Sequence, residues 1–72
     1  MRRAENRIKI VLIEQKRNSK WLAYELQVTH TTVSRWCTNL MQPSLEKLYE
    51  IADVLGVDVR TLLAPTKRKF VV

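Results

Sequence analysis

Apolar residues recur along this chain in short helical runs, and each run breaks off before the next restarts in a new phase. Over residues 5–17, Ile8, Val11 and Leu12, with Gln15 behind them, fall on one side of a helix. The run "IKIVLI" favours strand by propensity, but polar helix formers flank it and it is too isolated to pair, so helix is predicted. Asn18 is placed to cap a second helix over 19–26, with Leu22, Ala23 and Leu26 inward. "QVT" interrupts, and Thr29 caps a third helix over 30–38 whose interior stripe is Val33, Trp36, Cys37 and Leu40. Val28 and Val33 stand at the two ends of a hydrophobic staple, which fixes how the chain enters that helix. Asn39 suits its end, since Asn tolerates the left-handed conformation. Ser44 caps a fourth helix, 45–55, with Leu45, Leu48, Tyr49, Ala52 and Leu55 inward and Gly56 as its stop. Asp58 caps a fifth, 59–63, with Val57 and Leu62 as a second staple. The pattern predicts a compact all-α domain of five short helices over residues 1–66, followed by a flexible tail, 67–72.

Composition narrows this further. Seventy-two residues make one small domain, and a single Gly with two Pro argues against a turn-rich strand fold. One cysteine, Cys37, excludes an internal disulfide, and with only one histidine a conventional zinc site is not expected, nor any other cofactor. The start "MRRAENRIKI" lacks the apolar core of a secretory signal, and no apolar run nears the roughly 20 residues that span a bilayer. A cytoplasmic, nucleoid-associated protein with no membrane contact is expected. The net charge of +6 is segregated: residues 1–42 carry +5, residues 43–66 carry −2, and Lys67, Arg68 and Lys69 add +3. Such a distribution favours a polyanionic partner.

The phase breaks at "QVT" because two helices meet there at an angle and share one corner. Leu22, Ala23, Leu26, Val28, Val33 and Trp36 occupy the inward positions of a helix-turn-helix, with the small Ala23 at the crossing. At these residues the chain resembles the phage-repressor and Cro-like, XRE-type helix-turn-helix family, and the likeness runs over about residues 7–64. It takes in "SKWLAYELQVTHTTVSRW" and "NLMQPSLEKLYEIADVLGVDVRTLL", the latter similar to the family's Pro-Ser-Leu and Leu-Gly-Val segment. The resemblance implies a five-helix, lambda-repressor-like fold that binds double-stranded DNA. Three departures stand out. Gln27 occupies a turn position where Gly is common, and Asn39 replaces another Gly. Leu12 and Cys37 stand where the family often pairs an Arg with a Glu. Since both polar partners are missing together, Leu12 is expected to pack on Cys37, and Cys37→Glu to destabilise the fold.

In this family the start of the third helix enters the major groove, so the resemblance gives base reading to His30, Thr31, Ser34 and Arg35. Arg35 can donate two hydrogen bonds to guanine, and Thr31 can offer its methyl to thymine. Ser19, Lys20, Thr29, Thr32, Thr38 and Arg7 are the phosphate candidates, with Lys9 and the arm Arg2-Arg3 as outlying cations. Ser34 also suits phosphate as a short hydroxyl. Trp21 faces outward, either shielding core or touching a partner. The tail is either a disordered end, a DNA-reaching basic segment or, through Phe70–Val72, a dimer contact. No carboxylate pair, Gly-rich phosphate loop or Ser/His/Asp arrangement is legible, so an enzyme is not expected. The leading expectation is a sequence-specific transcriptional regulator, a repressor acting as a homodimer on half-sites about one turn (~34 Å) apart, with its interface around the fifth helix. An antitoxin-like protein that binds a protein partner and regulates its own operon is the alternative, and an RNA-binding or architectural protein the third.

Overall fold

The computed structural model describes residues 5–65. Four α-helices follow one another, α1 (Ile8–Glu14), α2 (Ser19–Leu26), α3 (His30–Cys37) and α4 (Leu45–Leu55), and a 3-10 turn, Val59–Leu62, closes the chain. The expected fifth helix is therefore this single 3-10 turn, and among the described residues the α-helices number four. In this turn the amides reach three residues back, Thr61 N to Asp58 O and Leu63 N to Arg60 O, and extended Leu63 ends the segment after one turn.

The core draws on every element. Ile8, Val11 and Leu12 of α1 meet Leu22 and Ala23 of α2, Val33 and Trp36 of α3, Leu48, Ile51, Ala52 and Leu55 of α4, and Leu62. α2 packs mainly on α3 and also on α4; α4 carries the 3-10 turn, and α1 spans α3 and that turn. Trp21, Leu26, Val28 and Cys37 pack against the rim, so Trp21 shields core.

Three residues expected inward are not. Leu40 is 67% exposed, because α3 ends at Cys37 and the chain turns away at Asn39. On α4, Leu45 and Tyr49 are exposed while Ile51 is fully buried. At about 100° per residue, Leu48, Ile51, Ala52 and Leu55 share one face and Tyr49 lies beyond its edge, while Leu45, close to Ala52 in angle, is exposed as the first residue of the helix.

The helix starts are capped as their sequences suggest. Asn18 Oδ1 accepts from Trp21 N, Thr29 Oγ1 from Thr32 N, Ser44 Oγ from Lys47 N, and Asp58 Oδ1 from Arg60 N. The helix ends share one device. Lys16, Gln27, Asn39 and Gly56 all adopt left-handed φ values of 59–68°. Each sits in a Schellman motif, in which the amide of the following residue reaches five residues back: Arg17 N to Leu12 O, Val28 N to Ala23 O, Leu40 N to Arg35 O, and Val57 N to Ala52 O. Only the last uses glycine. Lys16 explains why α1 stops at Glu14 where the periodicity alone extends it to 17.

The start of α1 is set by a long-range clasp. Asn6 bridges Leu63 in antiparallel fashion, Arg7 N donates to Leu62 O (2.8 Å), and Ala64 N donates to Glu5 O (3.3 Å). The Asn6 amide group donates to Trp36 O and Gln42 Oε1, its backbone N–H donates to Asn39 Oδ1, and its own Oδ1 accepts from Ile8 N. This pins the segment before α1 to the end of α3. Among the described residues no helix is long and apolar enough to cross a membrane. The arm Arg2-Arg3 and the tail 67–72 lie outside the described residues.

Candidate nucleic-acid interface

Thr31, Ser34 and Arg35 form an exposed row along the outer side of α3. None of their side chains makes a hydrogen bond or ion pair among the described residues. Behind this row Val33 and Trp36 anchor α3 in the core, so the row rides on a helix fixed by its cap, its staple and its left-handed stop. The left-handed turn at Gln27 (φ 59, ψ 45) sets the angle between α2 and α3, and it does so without the glycine usual there.

His30, the fourth expected base reader, behaves differently. Its Nε2 lies 2.8 Å from Ser19 Oγ, so the first residue of α3 is joined to the first residue of α2. The structure thus brings together a base-reading and a phosphate candidate that are eleven residues apart in sequence. The start of α2 adds donors. Asn18 caps Trp21 N and its carbonyl accepts from Leu22 N (3.3 Å), which leaves the Ser19 and Lys20 amides pointing out with no acceptor among the described residues. Lys20 itself is exposed.

The other hydroxyl candidates are partly committed. Thr38 Oγ1 donates to the backbone oxygens of Ser34 and Arg35, so it has no proton left for a phosphate. Thr29 and Thr32 share a hydrogen bond of 2.9 Å, in which one hydroxyl proton is used and the other is left for an outside acceptor. Arg7 lies apart from this group, in the clasp beside Leu62.

A cleft of about 310 Å³ adjoins the site, lined by Lys9, Leu12, Ile13, Arg17, Asn18, Ser19, Ser34, Cys37 and Thr38. Leu12 and Cys37 share this cleft, where a longer Arg–Glu pair would fill space. Burial pushes the Cys37 thiol up from its ordinary value, and the Lys9 ammonium partly opposes that shift. The thiol is therefore held in its protonated, unreactive form at neutral pH. Sequence reasoning missed Arg17, whose guanidinium carbon stacks 4.2 Å from the Trp21 ring centroid beside the start of α2. An Arg four residues before an outward Trp was the signal for it.

Two helices joined by a tight turn, the second presenting a partner-less polar row, define a helix-turn-helix domain of the DNA-binding kind. More particularly, the chain belongs to the XRE-type helix-turn-helix family, whose model, described as helix-turn-helix, matches residues 8–62. It is also similar to the crystal structure of a candidate DNA-binding protein from Bacteroides fragilis. The two share 46% identity with a TM-score of 0.83, over 85% of this chain and 98% of that one. No curated protein gave a match.

Proposed function

We propose that this protein is a sequence-specific double-stranded DNA-binding transcriptional regulator, a repressor that acts as a homodimer. The observation that carries the reading is the exposed row Thr31, Ser34 and Arg35 on a rigidly held α3, beside unclaimed amide donors at the start of α2. In this reading α3 enters the major groove. Arg35 donates two bonds to guanine O6 and N7, and Thr31 and Ser34 contact neighbouring base edges. Ser19, Lys20 and the Thr29–Thr32 pair hold the flanking phosphates, with Lys9 and Arg17 adding charge from the adjoining cleft. Catalysis has no part in this mechanism; occupancy of an operator that overlaps a promoter blocks the polymerase.

The homodimer is supported by apolar side chains left exposed on α4 and on the loop that leads into it. Leu45 and Tyr49 lie one turn apart on α4, and Leu40 and Met41 lead into it. Near the closing turn Leu63 is the exposed large apolar residue, so we place the protein contact at α4 and its leading loop in preference to the region of the expected fifth helix. The same residues favour a second reading, an antitoxin-like protein that offers this face to a different protein while binding its own operator.

The test is selection of bound sequences from a random duplex pool with wild type and Arg35→Ala side by side. A two-fold symmetric motif from wild type, relaxed at one guanine per half-site in the variant, supports a dimeric base-reading regulator. Salt-sensitive binding without any enriched motif refutes it.

A further inference from the structure

The cleft between α1 and α3 has two chemical characters. Its lining includes buried Leu12 and half-buried Cys37, and with them Ile13, an isoleucine left 63% exposed on α1. The same cleft is lined by Lys9 and Arg17 and by no aspartate or glutamate. Neither cation is paired: among the described residues the ion pairs are Lys47 with Glu50 and Arg60 with Asp58. Arg17 is held in place, its guanidinium carbon 4.2 Å from the Trp21 ring centroid, and the charge of Lys9 reaches the Cys37 thiol. At about 310 Å³ the cleft lies at the small end of ligand sites, which run from roughly 300 to 1,000 Å³.

Each character narrows the occupant. Inorganic phosphate or a DNA phosphodiester answers the two cations but leaves Leu12, Ile13 and Cys37 against water. A neutral apolar molecule covers those three but leaves both cations without a counter-ion. An anionic head on an apolar body does both, and the volume limits that body to the size of a single ring. We infer that this cleft binds a small arylalkyl carboxylate, and that the bound acid lowers the protein's affinity for DNA. The site stands on the cleft; the effect on DNA rests on the DNA-binding reading above and deepens it. Ser34 belongs both to the cleft and to the exposed row of α3, and Ser19 both to the cleft and to the start of α2. An acid bound there occupies Lys9 and Arg17 and sets a negative charge beside the positions proposed for the flanking phosphates. Acid and DNA therefore exclude one another.

The experiment titrates isotope-labelled protein with phenylacetate, phenylacetamide and acetate at constant ionic strength and follows the backbone amide shifts. Phenylacetate is expected to give saturable shifts centred on Leu12, Ile13, Ser34 and Cys37, with a Kd of about 1 mM, the scale open to a ligand of about ten heavy atoms. Phenylacetamide keeps the ring without the charge and acetate the charge without the ring, and each is expected to bind at least about 5-fold more weakly. Ile13→Ala and the double variant Lys9→Ala/Arg17→Ala, all at exposed positions, are expected to weaken phenylacetate by about 3-fold or more with little change in melting temperature. Against a duplex enriched from the random pool, phenylacetate at about four times its Kd is expected to weaken DNA binding about 5-fold relative to equimolar acetate, by simple competition. That loss should shrink in Ile13→Ala, whose DNA affinity without ligand is expected to match wild type. No saturable shift with phenylacetate, shifts centred away from the cleft, acetate or phenylacetamide binding as tightly, or DNA affinity unmoved at saturation overturns the inference while leaving specific binding intact. The absence of any motif in wild type overturns the regulator reading itself and leaves the amide shifts to decide the site.

Discussion

Gln27 and Asn39 hold the same left-handed backbone, with φ values of 59° and 62°, yet replacing each by glycine should move stability in opposite directions. An L-residue in this conformation carries roughly 1–2 kcal/mol of steric strain. Glycine removes that strain but loses about 0.5–1 kcal/mol more chain entropy on folding. The Gln27 side chain is exposed and makes no hydrogen bond among the described residues, so nothing else is lost. Gln27→Gly is therefore expected to stabilise the domain by about 0.5–1 kcal/mol, which for a chain this short raises Tm by roughly 3–6 °C. Asn39→Gly gains less relief, since Asn tolerates this conformation, and deletes Oδ1, which accepts from Asn6 N at 2.8 Å and from Gln42 Nε2 at 2.9 Å. Leaving a half-buried backbone donor without its acceptor costs about 1–3 kcal/mol, so the net change is a loss of roughly 1–2 kcal/mol. Thermal melts followed by circular dichroism, with urea titrations to confirm an unchanged m value, measure both. A Gln27→Gly variant that melts at or below wild type would refute the strain argument, and Asn39→Gly melting above wild type would refute the role given to the Asn6 network.

Three further outcomes follow from the same geometry. Gly56→Ala meets no steric neighbour but forces a Cβ into a φ of +68°, so it should cost about 1 kcal/mol in a chemical denaturation experiment. Cys37→Glu should lower stability by about 1 kcal/mol, because desolvation of a half-buried carboxylate outweighs its attraction to Lys9; the loss should grow when Lys9→Ala is added. The Arg60 side chain, which donates to both carboxylate oxygens, holds the Asp58 carboxyl below its ordinary value of 3.8. A depressed folded value makes the contribution present above pH 3.8 and lost as pH falls below it, so Asp58→Asn, which keeps a capping side chain, should flatten that acid limb of a stability–pH curve.

What could be read from the sequence was local. Asn18, Thr29, Ser44 and Asp58 each cap an amide two or three residues ahead, an interaction encoded within one turn of chain. The staple residues Val28 and Val33 and the small Ala23 between α2 and α3 were legible for the same reason. The stop at Lys16 was not, since nothing in lysine announces a left-handed residue; only the packing of Leu12 and the turn into Asn18 impose it. The Asn6 hub escaped because its partners lie 30–36 residues away. On α4, one extra apolar residue made two stripes possible, and contact with α2 selected the one through Ile51. At the candidate interface, residue types marked the exposed face of α3, but the pairing of His30 with Ser19 depends on how two helices cross and has no sequence period.

The clasp between Glu5–Arg7 and Leu62–Ala64 has a consequence for how this unit can be joined to others. Because the two ends of the described chain run side by side, whatever is attached to either one leaves from the same point on the surface. The unit can therefore be spliced into a surface loop of a host protein like a bead on a single stalk. It can also be reopened at an exposed turn elsewhere, with the old ends sealed by a short linker, so that the order of its helices is permuted while their packing is kept.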